Sequence, residues 1–332
     1  MKKNKNLLKF MSAIVTTVGL ISATSISASA STRLYTFDVL SDTHVKSGDA
    51  NANTRLSTAL NCIKNNFDDK CIVINGDVVD DYYQYSTLDS VIRNENSGSE
   101  KLPYIYFNFG NHEFRDAASS SSHSEWYKWS LNEFATKTNA IQASLSNDSD
   151  VTNNSRSSDS SYDWQYVKNN VFFFLGTDRL EYDQQNDCAD LNRNYQLAHL
   201  DNKLNSSGWK FVFCHQPPHG VIYGADWRNS ICERAYNDPN GEYFQSLISK
   251  HNNTIMFTSH MHNNFNTYGF EDNWNSNFHQ LGGSSVFGTS SVLEASQGLH
   301  VVVCDDEVTV KAVQYNSDND YDVIESKTIS LK

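Results

Sequence analysis

The sequence predicts an α/β fold. Short apolar runs of strand length alternate along the chain with amphipathic stretches of helical spacing. The 332 residues are enough to bury one large core or two ordinary ones. Several of the apolar runs also end in Asp, Asn or His, where open α/β sheets place their ligands.

Taken in order, Leu34 to Leu40 reads as the first strand. Leu56, Ala59, Leu60 and Ile63 recur at i, i+3, i+4 and i+7, which predicts a helix over Thr54 to Asn65 with Asn53 as its cap. Cys71 to Asn75, Pro103 to Phe109 and Val171 to Leu175 are the next strands. Leu197, Leu200 and Leu204 mark a helical face. Lys210 to Cys214 and Thr254 to Thr258 are short buried strands, with a helix around Phe244, Leu247 and Ile248 between them. His300 to Cys304, Val308 to Tyr315 and Tyr321 to Leu331 close the chain as antiparallel strands. Residues 114–163 read as an insertion in a single domain spanning 31–332. Its Ser144 to Ser161 stretch, dense in Ser, Asn and Asp, is expected to be a mobile surface loop, and Glu125 to Trp129 an aromatic helix.

Charge narrows the function. Lys and Arg number 26 against 39 Asp and Glu, a net charge of −13 that becomes −17 without the four lysines of the first 30 residues. Such a body repels phosphate backbones at long range, which argues against a nucleic-acid scaffold or a binder of anionic membranes. Residues 1–30 read as a secretory signal peptide: Lys2, Lys3 and Lys5, an apolar stretch from Phe10 to Ile21, then Ala28-Ser29-Ala30 as the cleavage site. The expected location is therefore extracellular, with no stable membrane span. Export permits disulfides, and of the six cysteines Cys188 and Cys232, both in polar stretches, are the favoured pair. Cys214 and Cys304 read as buried strand residues. Oligomeric state is not legible.

Five apolar runs end in metal-ligand residue types: Asp42-Thr43-His44, Asn75-Gly76-Asp77, Gly110-Asn111-His112-Glu113, His215, and Ser259-His260-Met261-His262. Brought to one sheet edge they offer two carboxylates (Asp42, Asp77), four imidazoles (His44, His215, His260, His262) and one amide oxygen (Asn111). Seven N and O ligands exceed one ion's need and suit two divalent transition metals, Zn, Fe or Mn, sharing a carboxylate. Paired ions ~3.5–4 Å apart lower the pKa of a bridging water and hold phosphoryl oxygens during in-line displacement.

In these motifs the chain resembles the calcineurin-like metallophosphoesterase superfamily, whose pattern is D-x-H, G-D, G-N-H-[DE], H and G-H-x-H. The resemblance implies a four-layer α/β/β/α sandwich of two mixed sheets flanked by helices, with the dimetal site at the carboxyl edge of the strands. It implies that Asp42, His44, Asp77 and His262 hold one ion, and that Asp77 bridges to a second held by Asn111, His215 and His260. His112 would be the catalytic residue beside the leaving group, and Asp80 or Glu113 would orient an imidazole. The implied activity is hydrolysis of small anionic phosphate mono- or diesters by a metal-bridging hydroxide. Ser259 stands where the family has Gly. Asp80 and His44 stand where a tyrosinate–iron centre would need Tyr and a missing His, so that centre is not expected. His219 and Arg115 are candidate substrate contacts at the rim. The competing reading is a non-catalytic extracellular binding protein that keeps the fold; such a protein would be expected to have lost ligands.

Overall fold

The computed structural model describes residues 31–331 apart from 115–122, 147, 179–187, 227, 234–236, 239, 269–284 and 289–295. The predicted signal segment and Arg115 lie outside the described residues.

Strands form where apolar runs can be buried on both faces. β1 (Arg33–Leu40), β2 (Asp69–Asn75) and β3 (Tyr104–Asn108) pair in parallel. The antiparallel strands β11 (Gln297–Cys304), β12 (Glu307–Ser317) and β13 (Asp320–Ser330) extend the other edge, in the order β13-β12-β11-β1-β2-β3. A second sheet has the order β10-β9-β7-β5-β4, formed by β4 (Asp163–Val167), β5 (Asn170–Leu175), β7 (Lys210–Cys214), β9 (Thr254–Thr258) and β10 (Ser285–Gly288). Only β4 runs antiparallel to its neighbour in that sheet. Two short strands, β6 (Ala189–Asp190) and β8 (Ile231–Cys232), pair separately.

The sheets meet face to face through aromatic rings. Phe37 of β1 lies 4.8 Å from Phe172 and 5.0 Å from Phe211, centroid to centroid, and all three are fully buried. Along β7 the side chains alternate. Phe211 and Phe213 join this inner core, while Val212 and Cys214 join the outer one beneath α4 (Gln196–Leu204) and α5 (Glu242–Ile248). On the opposite side, α1 (Ala50–Asn66) and α2 (Tyr85–Glu95) bury Leu56, Leu60, Leu88 and Ile92 against the six-stranded sheet. The layers are therefore helix, sheet, sheet, helix. α3 (His123–Gln142) packs beside β3 and α2, and the one-turn α6 (Phe265–Tyr268) follows β9.

Two expectations change. The first helix starts earlier than its apolar spacing indicates, because Asp49 caps it by accepting from the N–H groups of Asn51 and Ala52. Asn53 lies inside the helix and accepts instead from the Lys46 N–H. The Ser144 to Ser161 stretch is not a loose loop in its described part. Val151 bridges to Val167, Thr152 N–H donates to the Tyr166 carbonyl, and the buried Arg156 guanidinium lies 5.2 Å from the Phe134 ring centroid. Thr152 Oγ1 also accepts from the Tyr166 N–H of β4 at 2.7 Å, a contact that composition does not reveal.

A candidate metal centre at the strand ends

The parallel strands β1, β2, β3, β7 and β9 all end at one edge, and the five motifs follow those ends. Two buried asparagines hold the sheets together there. Asn75 Nδ2 donates to the carbonyls of Cys214 and Phe257, each at 3.2 Å, and Asn108 Nδ2 donates to Asn75 Oδ1 at 2.9 Å and to the Leu175 carbonyl at 3.1 Å. The chain then turns sharply. Asp42, His44, Asp77, His260 and His262 all have positive φ, between 43° and 71°. Left-handed backbone costs a non-glycine residue roughly 1–3 kcal/mol and persists only where surrounding bonds enforce it. Here Asp42 N–H donates to the Gly76 carbonyl at 3.1 Å and His44 N–H to the Asp77 carbonyl at 3.0 Å. The glycines are needed for approach. A Cβ on Gly76 would stand 2.6 Å from the His215 ring, and one on Gly110 would stand 2.3 Å from Asp77.

The ligand-type side chains converge in two groups that share Asp77. Asp42, His44, Asp77 and His262 form one, and Asp77, His215 and His260 the other. His215 Nε2 lies 3.0 Å from Asp77 Oδ2, and His262 Nε2 lies 3.2 Å from Asp42 Oδ1. His44 Nε2 and His262 Nε2 face each other at 3.2 Å. The Asn111 side-chain amide reaches into the same space, 3.1 Å from His260 Nδ1 and 3.2 Å from both His215 Nε2 and Asp77 Oδ2. Acceptors aimed at one point are what a cation between them requires, and the imidazole, carboxylate and amide set suits a divalent transition ion. On this observation the residues present fit a pair of metal ions.

The electrostatics agree. Burial alone would raise the Asp42 carboxyl, but the His215 and His262 imidazoles outweigh it and hold it at about 2. Burial likewise opposes charge on Asp77, yet His215 beside it pulls that carboxyl well below the ordinary range. His215 is pushed up to about 10, because Asp77 and Asp42 overcome the burial that would lower it. The pocket thus demands positive charge, whether as protons or as a cation. Burial and the neighbouring His215 push His260 down to about 4, leaving its lone pair available.

Around these groups stand residues that fix them. His215 Nδ1 lies 2.9 Å from the Asn75 carbonyl and 3.0 Å from Ser259 Oγ, so its Nδ1–H points away from Asp77 and its Nε2 lone pair points inward. Neither Asn75 nor Ser259 was anticipated in this role; the only sequence sign was that Ser259 interrupts a motif usually occupied by Gly. His112 Nδ1 lies 2.9 Å from the Asp80 carbonyl, and its Nε2 lies 4.0 Å from Asp77 Oδ2. The Asp80 carboxylate stands 3.6 Å from Nδ1 of both His44 and His112, and it also pairs with Lys46. Glu113 plays a different part from imidazole orientation. Its fully buried carboxylate accepts from the N–H groups of Asp77, Val78, Val79 and Gly110, and so pins the loop carrying Asp77. His219 is half-buried in the turn after Pro218 and belongs to neither ligand group. Arg115 lies outside the described residues.

Residues 35–264 match the calcineurin-like phosphoesterase family model. The chain belongs to the calcineurin-like phosphoesterase family. As a calcineurin-like phosphoesterase it is a hydrolase acting on phosphoester bonds, and its candidate ligand groups fit the family's dimetal chemistry. Comparison with curated protein sequences gives no match. Among solved structures, the fold is similar to a dimetal phosphatase from Danio rerio at 15% identity and TM-score 0.57, covering 90% of this chain and 100% of that one. It is also similar to a purple acid phosphatase from yellow lupin seeds at 12% identity and TM-score 0.56, covering 90% and 54%. A third similar structure is GAP50 of Plasmodium, an anchor in the inner membrane complex, at 12% identity and TM-score 0.52, covering 90% and 89%.

Proposed function

We propose that this chain is a secreted phosphoesterase that hydrolyses small anionic phosphate mono- or diesters at a centre of two divalent transition ions, Zn, Fe or Mn. Residues 1–30 are proposed to be its signal peptide and 31–332 its catalytic domain. Asp42, His44, Asp77 and His262 hold one ion, and Asp77, Asn111, His215 and His260 the other. The observation that carries the reading is the convergence of two ligand groups, Asp42, His44, Asp77 and His262 on one side and Asp77, His215 and His260 on the other, on one shared carboxylate.

When bound, the ions supply charge neutralisation and a water of lowered pKa. The protein does the rest. Asp77 lies between both ligand groups and fixes their separation. The Asn75 carbonyl and Ser259 hold the His215 Nδ1–H, so its Nε2 faces inward. The contact of His112 Nδ1 with the Asp80 carbonyl leaves Nε2 as the group that faces the centre, where it delivers a proton to the departing alcohol oxygen. Asp80 keeps that ring in place from beside Lys46.

The test combines metal analysis with hydrolysis of a mono-aryl and a bis-aryl phosphate, which also separates monoesterase from diesterase. Two ions per chain and turnover of one ester are expected. Asp77→Ala and His215→Ala should lose metal and activity together, whereas His112→Ala should keep its metal and lose ~10²–10⁴ in turnover. Unchanged turnover by His112→Ala on a poorly activated ester would remove the proton-donor role. A chain that binds no metal and hydrolyses neither ester would be the binding protein instead.

A further inference from the structure

The geometry points to a disulfide between Cys188 and Cys232, closed by a small-molecule disulfide or a thiol–disulfide oxidoreductase and fastening the segment that leaves the metal centre after His215. The two sulfurs are in thiol–thiol contact at 3.1 Å, across 44 residues of chain. Register brings them there. Asp190 pairs with Cys232 in the parallel β6–β8 ladder, and Cys188, two residues earlier, lies on the same face as Asp190. The thiols differ in access: Cys188 is half-buried and Cys232 is fully buried. The other four cysteines are buried in the strands and helices of the cores.

The ladder itself shows why a covalent tie belongs here. Two-residue strands make too few bonds to hold alone. The two strands are joined by Ala189 N–H to the Ser230 carbonyl and Leu191 N–H to the Cys232 carbonyl, and Ile231 N–H of β8 donates to the Pro217 carbonyl. Pro217 lies two residues after His215, so this ladder anchors the outgoing end of a metal-ligand loop. The closed loop contains α4, β7 and His215, so constraining it in the unfolded chain favours the folded arrangement around that ligand.

The chemistry balances with the oxidant named. The accessible Cys188 thiolate attacks one sulfur of the small disulfide, whose S–S bond breaks and releases one thiol. Cys232 then gives its proton to water, attacks Cys188 Sγ and expels the second thiol. The protein loses two electrons and two protons, and the oxidant gains both.

The test uses the full chain incubated with oxidised glutathione, alkylated in denaturant and digested without reductant. A linked peptide pair containing positions 188 and 232, two hydrogens lighter than its parts, is expected. Dithiothreitol should then lower Tm by about 5 °C in the wild type and leave Cys188→Ser unmoved. Recovery of Cys188 as a glutathione adduct with Cys232 alkylated would overturn the pairing, as would a link from either to another cysteine. A linked pair with no change in Tm on reduction would overturn the fastening role.

Discussion

At the scale of single residues, the centre depends on which nitrogen of each imidazole carries its proton. Ser259 matters most here, because it departs from the family's Gly and uses the departure. Its Oγ donates to the Asn75 carbonyl at 2.8 Å and receives the His215 Nδ1–H at 3.0 Å. Partners that orient a metal-bound imidazole are typically worth 10–100-fold in metal affinity. Ser259→Ala should therefore weaken binding of one ion by roughly tenfold and cost only ~1 kcal/mol of fold stability. Competition calorimetry against a chelator and a denaturant melt would read the two separately, and an equal effect on both ions would contradict the assignment. The ligand types themselves were legible in the sequence, since each sits in a short motif at the end of an apolar run. Asn75 and Ser259 were not, because their roles are contacts between β2, β7 and β9 that no local pattern encodes.

At the scale of elements, the loops are held by one carboxylate. Glu113 collects four backbone N–H groups from the turns after β2 and β3. Burial and the charge of Asp77 push its own carboxyl up to about 7, so the pin is made at an electrostatic cost. Glu113→Ala would leave those donors unsatisfied and should destabilise the protein by roughly 3–5 kcal/mol. Glu113→Gln, which keeps one acceptor oxygen, should cost less, and unfolding in urea would rank the three proteins. β7 and β9 were read to the residue because they are continuous apolar runs, buried on both faces, whereas β11 starts three residues ahead of the His300 read as its first. The reading missed α2, β4 and the short β6, β8, β10 and α6: Tyr85 to Glu95 carries only Tyr85, Leu88 and Ile92 as its buried face, Asp163 to Val167 interleaves polar with aromatic residues, and the other four are only two to four residues long. The start of α1 was misplaced because the cap residue, Asp49, lies about two turns ahead of the first residue of the apolar repeat, Leu56.

At the scale of the molecule, a second buried polar cluster bears on stability. Asp38 accepts from Tyr315 Oη at 2.9 Å and contacts His300 Nδ1 at 2.9 Å, with Asp69 close by and Phe67 stacked on the imidazole. Burial raises the Asp38 carboxyl to about 6 and lowers His300 to about 4. A raised carboxyl binds its proton more tightly folded than unfolded, so its contribution is full below the unfolded value near 4 and is lost as pH rises towards 6. The neutral His300 works the other way, and its contribution is lost as pH falls from 6.5 towards 4. Asp38→Asn should therefore gain stability relative to the wild type as pH rises from 4 to 6, by up to ~1.4 kcal/mol per pH unit. Denaturant midpoints at both ends of that interval would check it, and parallel curves would refute it.

The paired asparagines at the strand ends have a mechanical corollary. Asp42, His44, Asp77 and Asn111 arrive from the six-stranded sheet, while His215, His260 and His262 arrive from its partner, and Asn75 and Asn108 lace the two together just beneath. Ions seated above that lacing would act as rivets through both plates. Loading the centre would then stiffen the whole mouth of the sandwich as well as arm it.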